Sequence, residues 1–397
     1  VMAGAISGLG TTYNLPNYTG ELYQLSPTDT PLLSAIGGLT GGGQVSDTEF
    51  EWQMKDLRDA GQNVALEGAD APTSQERVRA KADNILQIHQ ESFGVSYTKL
   101  GAVGRFSGLA TGGATNPVKD ELQEQIEDGI MQVARDVDYS FINGQYNKPS
   151  DNSTKRKTRG LVQAIATNVV DKGATAVTGA TLTIATDKVG TTAHGLVNGD
   201  RVKITAIATT TGLIEGGCYY VVNKAADTFE VSLTEGGAKI DLAGGNGTCT
   251  YVKLSALTED ILLDSMQGAF ENGGLQLGAT RTILCGARQH RKITSVFAEA
   301  HAKATPIVGD VGGVSVQKID TDFGMLNIMV DRFVENDTIL VLSMEQLMPV
   351  YLEHPDKGHF FVEPLAKTGA QEKVQLYGEI GLKYGNERAH AKIVGLS

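Results

Sequence analysis

A chain of 397 residues carrying a formal charge of −12 is long enough for two or three domains, each with its own core. That acid excess argues against tight binding to a phosphate backbone, whose affinity comes from counterion release by Lys and Arg, and no apolar run approaches the ~18 residues of a membrane span. Cys218, Cys249 and Cys285 are odd in number and form no CxxC, so they read as small buried apolar residues and not as a zinc knuckle or a disulfide framework. The opening lacks a basic-then-apolar leader, so synthesis in a cytoplasm is expected. Val1 stands where a Met would, which implies removal of an initiator or cleavage of an earlier segment.

Residues 1–43 are glycine-rich and weakly patterned. Within them, 28–36 form a short element, with Thr30 placed to cap, Pro31 at the first helical position and Leu32, Leu33 and Ile36 to bury. The rest is a frayed terminus or an arm. Tyr13, Leu15, Tyr18, Leu22, Tyr23 and Leu25 make it more apolar than a solvated tail, which favours an arm lying on another surface. In DTEFEWQMK, Phe50, Trp52 and Met54 alternate with Glu49, Glu51, Gln53 and Lys55, the pattern of a half-buried strand; in ESFGVSYTK, Phe93, Val95 and Tyr97 do the same. Residues 56–84 between them are polar and too long for an idle loop in a compact domain. They read as a long hairpin arm whose partner is another molecule, or as a disordered surface loop.

After a second glycine-rich linker at 101–113, residues 116–144 hold the clearest helix. Val118, Leu122, Ile126, Ile130, Val133, Val137 and Phe141 recur at steps of three and four. Asn116 can cap it, Pro117 suits its first turn, Glu121, Glu124, Glu127 and Asp128 suit the positive end of its dipole, and Gly144 stops it. Such a rod is roughly 40 Å long. It braces one surface, its stripe expected on the β-rich tail, although an ordinary amphipathic helix of an α/β domain has the same spacing. Lys155, Arg156, Lys157 and Arg159 form the one dense basic run. Without interleaved aromatics it reads as a solvated loop before a nucleic-acid patch.

An apolar segment at 160–171 precedes a shift in composition. Residues 173–253 are rich in Thr, Val, Ala and Gly, with alternating runs TLTIATDKV, DRVKITAIA, CYYVVNKA, TFEVSL and GTCTYVKL separated by turn signals at 197–200, 215–217 and 234–237. They predict a small all-β module spliced into another domain, its ends close together. HGLVNGDRV, GLIEGGCYYVVN and TFEVS resemble a β-module common in tail and fibre proteins of bacteriophages. The host domain resumes with Thr258 capping a helix whose face is Leu257, Ile261, Leu262, Met266, Ala269 and Phe270. A buried strand at 282–286 and a helix at 287–300, with Ile293, Val296 and Phe297 inward, come next. Strands at 314–319, 325–330 and 338–343 complete helices packed on a mixed sheet. The tail alternates again in PVYLE, HFFVEPL, VQLYGEIGLKY and HAKIVGL, strands expected to return to the domain of the long helix.

Catalytic motifs are missing: no HExxH, GxSxG or Walker loop occurs, and the glycine runs at 4–10 and 37–43 do not sit between a strand and a helix. His354 and His359 flank a turn at 355–358, and a metal pair there would need carboxylate neighbours. Arg288, His290, Arg291 and Lys292 open a helix and are assigned to partner contacts or solvent before a phosphate grip. Glu259 and Asp260 are explained by the helix dipole. No enzyme activity, cofactor or metal is expected.

The ordered set of glycine-rich arm, long two-stranded arm, single-striped helix, inserted β-module and later α/β domain resembles the Hong Kong 97-type fold of tailed-bacteriophage major capsid, or major head, proteins. The segments YNLPNYTGELYQLSPTDTPLLSAIG and VARDVDYSFINGQ carry the resemblance most specifically. It implies an α+β fold divided as N-terminal arm 1–45, extended E-loop hairpin 46–100, peripheral domain 101–172 with spine helix 116–144, inserted all-β domain 173–253, axial domain 254–345 and a β-rich return 346–397. It further implies self-assembly in hexamers and pentamers into an icosahedral shell around double-stranded DNA, in the virion, after synthesis in the host bacterial cytoplasm. Scaffold, portal and decoration proteins are implied partners, with DNA held weakly and without sequence preference, and no membrane. Under the resemblance, subunit contacts fall to Tyr13, Tyr18, Tyr23, Phe50, Trp52, Met54, Arg58, Arg77, Arg79, Phe93 and Tyr97. Some relatives weld subunits through a Lys–Asn isopeptide bond, and others carry a long scaffolding region; no such pair is identified here and no such region is seen, so a separate scaffold or prior cleavage is implied. The alternative reading is a tail or fibre protein whose β-module binds a host glycan.

Overall fold

The computed structural model describes residues 26–74, 76–98, 121–276, 278, 280–300, 307–311, 314–366 and 369–397. The expected N-terminal arm with Tyr13, Tyr18 and Tyr23, the linker at 101–113 and the helix start at Asn116 and Pro117 lie outside them. The chain divides into two compact units, one comprising Thr30–Gln90, Val133–Phe361 and Tyr377–Ser397, the other including Glu91–Gln132 and Val362–Leu376.

In the larger unit a seven-stranded mixed sheet runs in the order Ile307–Val311, Val314–Thr321, Gly324–Val330, Arg281–Cys285, Ile339–Ser343, Ala391–Val394 and Val169–Asp171. Two pairings are parallel, Arg281–Cys285 with Gly324–Val330 and Ala391–Val394 with Val169–Asp171. Helix Glu259–Glu271 begins as its sequence dictates, the Thr258 hydroxyl accepting from the Ile261 N–H at 3.4 Å. Leu257, Ile261, Leu262, Met266 and Ala269 join Ile283, Cys285, Ile293, Ile328, Ile339, Val341 and Ile393 in one core. Phe270 does not; it is 51 % exposed and leans on Phe323 at 5.7 Å. Steps of four drift around a helix by about 40° each, so the stripe leaves the core by its last turn.

Residues 173–253 form a closed six-stranded barrel: Thr228–Ser232, Lys188–Gly190, Val177–Thr183, Ala243–Lys253, Arg201–Thr211, Cys218–Val222 and back to the first. Its own core is built on Leu182, Val202, Ile204, Tyr219, Val221, Phe229, Val231 and Tyr251. The three turn signals fold as turns, closed by Asp200 N–H to Val197 O, Gly217 N–H to Ile214 O and Gly237 N–H to Thr234 O. At the junction Ala174 N–H donates to Lys253 O at 2.9 Å, so the two ends of the module meet.

A five-stranded sheet orders Gly43–Val45, Met348–Leu352, Gln371–Lys383 and Phe360–Pro364, with Gln87–Ser96 also paired to Gln371–Lys383. Three tail strands thus enter this sheet, while Ala391–Val394 joins the other. The pairing expected between the two alternating segments is corrected: Glu49–Lys55 pairs with Arg79–Ile85, Lys55 facing Arg79, and Phe93 and Val95 belong to the separate strand Gln87–Ser96.

The long helix is described over Glu121–Asn143. Val133, Val137 and Phe141 are buried, as expected of the stripe, and so is Ile142 beside it, but Ile130 is 41 % exposed. One residue earlier Gly129 is buried under Phe93, and a Cβ there would fall 2.0 Å from the ring's Cζ. The absent side chain lets the ring reach the helix backbone and leaves Ile130 at the edge. The buried end of the helix is pinned by three groups of the larger unit: Leu33 N–H donates to Asp138 Oδ1 at 2.8 Å, Gln87 Nε2 to Ser140 Oγ at 3.3 Å, and Asn143 Nδ2 to Phe333 O at 2.7 Å. Leu33 belongs to helix Pro31–Ile36, which starts at Pro31 as predicted but without a side-chain capping bond from Thr30, whose hydroxyl lies 3.5 Å from that of Ser34.

Candidate assembly surfaces

The hairpin of Glu49–Lys55 and Arg79–Ile85 has a fixed base and an unsupported reach. At the base Trp52 Nε1 donates to Gly385 O at 2.7 Å, its ring meets Tyr384 edge-on at 4.9 Å, and Phe50 stacks beside it at 6.0 Å. Asn84, fully buried, donates from Nδ2 to Leu382 O at 2.7 Å and to Arg159 O at 3.2 Å, while its Oδ1 accepts from Arg159 N–H at 2.9 Å. The Tyr146 hydroxyl donates to Asp83 Oδ2 at 2.9 Å; burial first, then that bond, pushes its pKa up to about 12. Beyond the base every described residue from 55 to 81 is exposed. Leu57, Val64, Leu66 and Val78 stand largely open, at 60, 84, 85 and 82 % exposure.

This geometry sorts the contact residues expected from sequence. Phe50 and Trp52 are buried against their own chain, where they anchor the base of the hairpin. Met54 is half-buried, and Phe93 covers Gly129. Arg58, Arg77 and Arg79 are exposed on the arm, Arg79 donating to Gln53 Oε1 at 2.9 Å and Arg58 to Asp59 O at 3.0 Å. Tyr97 is 43 % exposed. The basic run is likewise more than a solvated loop: Arg156 pairs with the buried Glu379 at 3.0 Å, and Arg159 donates to the Tyr384 hydroxyl at 2.8 Å while lying 4.3 Å over the Tyr146 ring. Asn84 and Asp138, which hold the arm base and the helix, carry no periodic signal in the sequence.

A groove of about 1270 Å³ lies between residues 87–90, the helix from Val133 to Asn143 and the loop 149–157. His89 lines it, 6 % exposed, with Nε2 buried and unpartnered. Burial holds its imidazole down to about 4 from an ordinary 6.5. Between those values the unfolded chain takes up a proton that the folded chain refuses, so the stabilisation is complete above the window and falls as pH drops through it. About 3 kcal/mol is lost by the bottom of the window. His89→Met is expected to remove that part of the pH dependence, read as urea midpoints between about pH 7 and pH 4.

Burial pushes the thiols of Cys285 and Cys249 up to about 12 and about 11, which leaves them inert as nucleophiles. His354 lies 5.5 Å from the rings of both Phe361 and Tyr377, and His359 lies 3.6 Å from Tyr351. Among the described residues no group of three His, Cys, Asp or Glu side chains is arranged to hold a metal ion, and no helix is long and apolar enough to cross a membrane. Arg288 binds the barrel, donating to the Tyr220 hydroxyl at 2.8 Å, and Lys203 reaches from the barrel to Glu335 and Asp337 at 2.5 and 2.9 Å.

No curated protein sequence matches the chain. Among solved structures it is similar to the capsid asymmetric unit of cyanophage A-1(L), with 12 % identity, a TM-score of 0.55 and coverage of 98 % of this chain and 99 % of that one. It also aligns with the SrpI encapsulin of Synechococcus elongatus PCC 7942, at 12 % identity, a TM-score of 0.49 and coverage of 96 % and 92 %. The model of the family described as SU10 major capsid protein matches residues 5–397. A match of that extent takes in host domain and inserted barrel alike, and the chain belongs to the SU10 major capsid protein family, with the Hong Kong 97-type fold.

Proposed function

We infer that the chain builds its shell by laying the hairpin arm of each copy on a neighbouring copy. As a major capsid protein it self-assembles into the icosahedral shell around the double-stranded DNA of a tailed phage. The observation that carries the arm's role is its exposure: a ladder anchored by Trp52 and Asn84 ends in a reach whose Leu57, Val64, Leu66 and Val78 are bare. Each such side chain contributes roughly 1.5–3 kcal/mol when buried, and a second copy is the surface repeated often enough to bury all of them.

In this reading residues 1–45 act as the N-terminal arm, 46–100 as the E-loop, 101–172 as the peripheral domain and 254–345 as the axial domain. Copies gather in hexamers and pentamers, with scaffold, portal and decoration proteins as partners and the virion as destination. The charge of −12 keeps packaged DNA loosely held, since like charge opposes condensation on the inner wall. Electron microscopy of the purified full chain tests the reading: closed shells of uniform diameter are expected, and tubes or spikes would return the protein to the tail-or-fibre class.

The barrel is an accessory of the shell in the same reading. Joining Gly173 to Leu254 by a short turn, with 174–253 removed, is expected to leave a host domain that folds and still closes into shells, because the ends already meet at the Ala174–Lys253 hydrogen bond. Size-exclusion chromatography and microscopy check this; aggregation of a well-expressed deletion would count against it.

A further inference from the structure

Two guanidinium groups share one tyrosine ring where the barrel meets the host domain. Arg201, at the start of barrel strand Arg201–Thr211, has its Cζ 5.3 Å from the Tyr220 ring centroid, and the two residues face each other across neighbouring strands. Arg288, in the first turn of helix Ala287–Ala300, has its Cζ 5.6 Å from the same centroid. Arg201 is 7 % exposed, and its Nε and Nη1, together with Nε of Arg288, are buried without a hydrogen-bond acceptor. The nearby carboxylates Glu335 and Asp337 are both held by Lys203.

Arginine does not escape burial by losing its proton. A ring's attraction for a cation is smaller than the cost of stripping that cation of water, and a second cation beside it adds repulsion. Burial first, and then the charge of Arg288, hold the Arg201 pKa below its ordinary value. The helix N-terminus beside Arg288 adds partial positive charge of its own. Tyr220 and Arg288 are half-buried, so the pair borders solvent on their side.

We propose that Arg201 and Arg288 form a binding site for a small oxyanion of the class of inorganic phosphate, which bridges the barrel to the host domain. One guanidinium comes from each module, so an anion forked between them ties the two together and satisfies donors that neither module can satisfy alone. The site sits apart from the arm and does not depend on its assembly role.

Isothermal titration of the full chain with inorganic phosphate, against chloride at matched ionic strength, tests the proposal. Saturable binding with a Kd of roughly 1 mM or tighter is expected, weakened about tenfold or more by Arg288→Met, which removes one charge-assisted fork. Lys239→Met removes a cation of the same barrel that pairs with Asp187, and is expected to leave phosphate binding unchanged. Arg288 is only half-buried, so its variant carries the test even if Arg201→Met does not fold. Binding no stronger than that of chloride, or full phosphate affinity in Arg288→Met, would overturn the site.

Discussion

Replacing residues 56–78 with a two-residue turn is expected to give a chain that melts within about 3 °C of its parent and forms no closed shells. Lys55 already faces Arg79 across the ladder, so an Asn-Gly turn closes the hairpin where its register is set. Every described residue removed is exposed, and none carries the Trp52 or Asn84 anchors, so the subunit loses no internal packing. The shell loses Leu57, Val64, Leu66 and Val78 from every copy at once. Repeated over many identical contacts, even part of the roughly 1.5–3 kcal/mol per buried side chain decides whether a shell closes. Calorimetry and electron microscopy read the two halves of the result, and normal shells from this deletion would sink the arm's assignment. The boundaries matter: a cut running to residue 84 would also take strand Arg79–Ile85 and its buried Asn84, and would confuse a folding defect with an assembly defect.

That boundary marks where the sequence was legible and where it was not. Glu49–Lys55 alternates cleanly, and its inward face is buried as the alternation requires. Its partner, RAKADNI, buries only Asn84 and Ile85; it is a strand because the ladder of Glu49–Lys55 holds it, and a ladder leaves no side-chain period. Pattern also tells which face is buried without telling whose surface buries it, so the alternation of Phe50 and Trp52 does not reveal that their own chain's Tyr384 and Gly385 receive the Trp52 ring. Helix Glu259–Glu271 and the barrel were readable because cap, period and turn chemistry agreed locally. The Arg201–Tyr220–Arg288 cluster was not, since its members come from separate strands and a helix distant in sequence.

Asn84→Asp is expected to destabilise the folded subunit by roughly 3–5 kcal/mol at neutral pH, the largest loss from any one-group change at the arm base. The substitution keeps the shape and the acceptor for the Arg159 N–H, but it removes the donor to Leu382 O and Arg159 O and sets a carboxylate against those two carbonyl oxygens. Burial and facing carbonyl dipoles disfavour the charged form, so the new carboxyl titrates higher in the folded chain than in the unfolded one. The folded variant therefore binds more protons within that window, and its deficit against the parent shrinks as pH falls. Asn84→Leu, which removes every bond without adding charge, is expected to be destabilised as well, but by an amount that does not change with pH. Urea unfolding of both variants and the parent at each pH separates the terms. A deficit in Asn84→Asp that stays constant from neutral to acid pH would show that the buried amide is not where the arm is fastened.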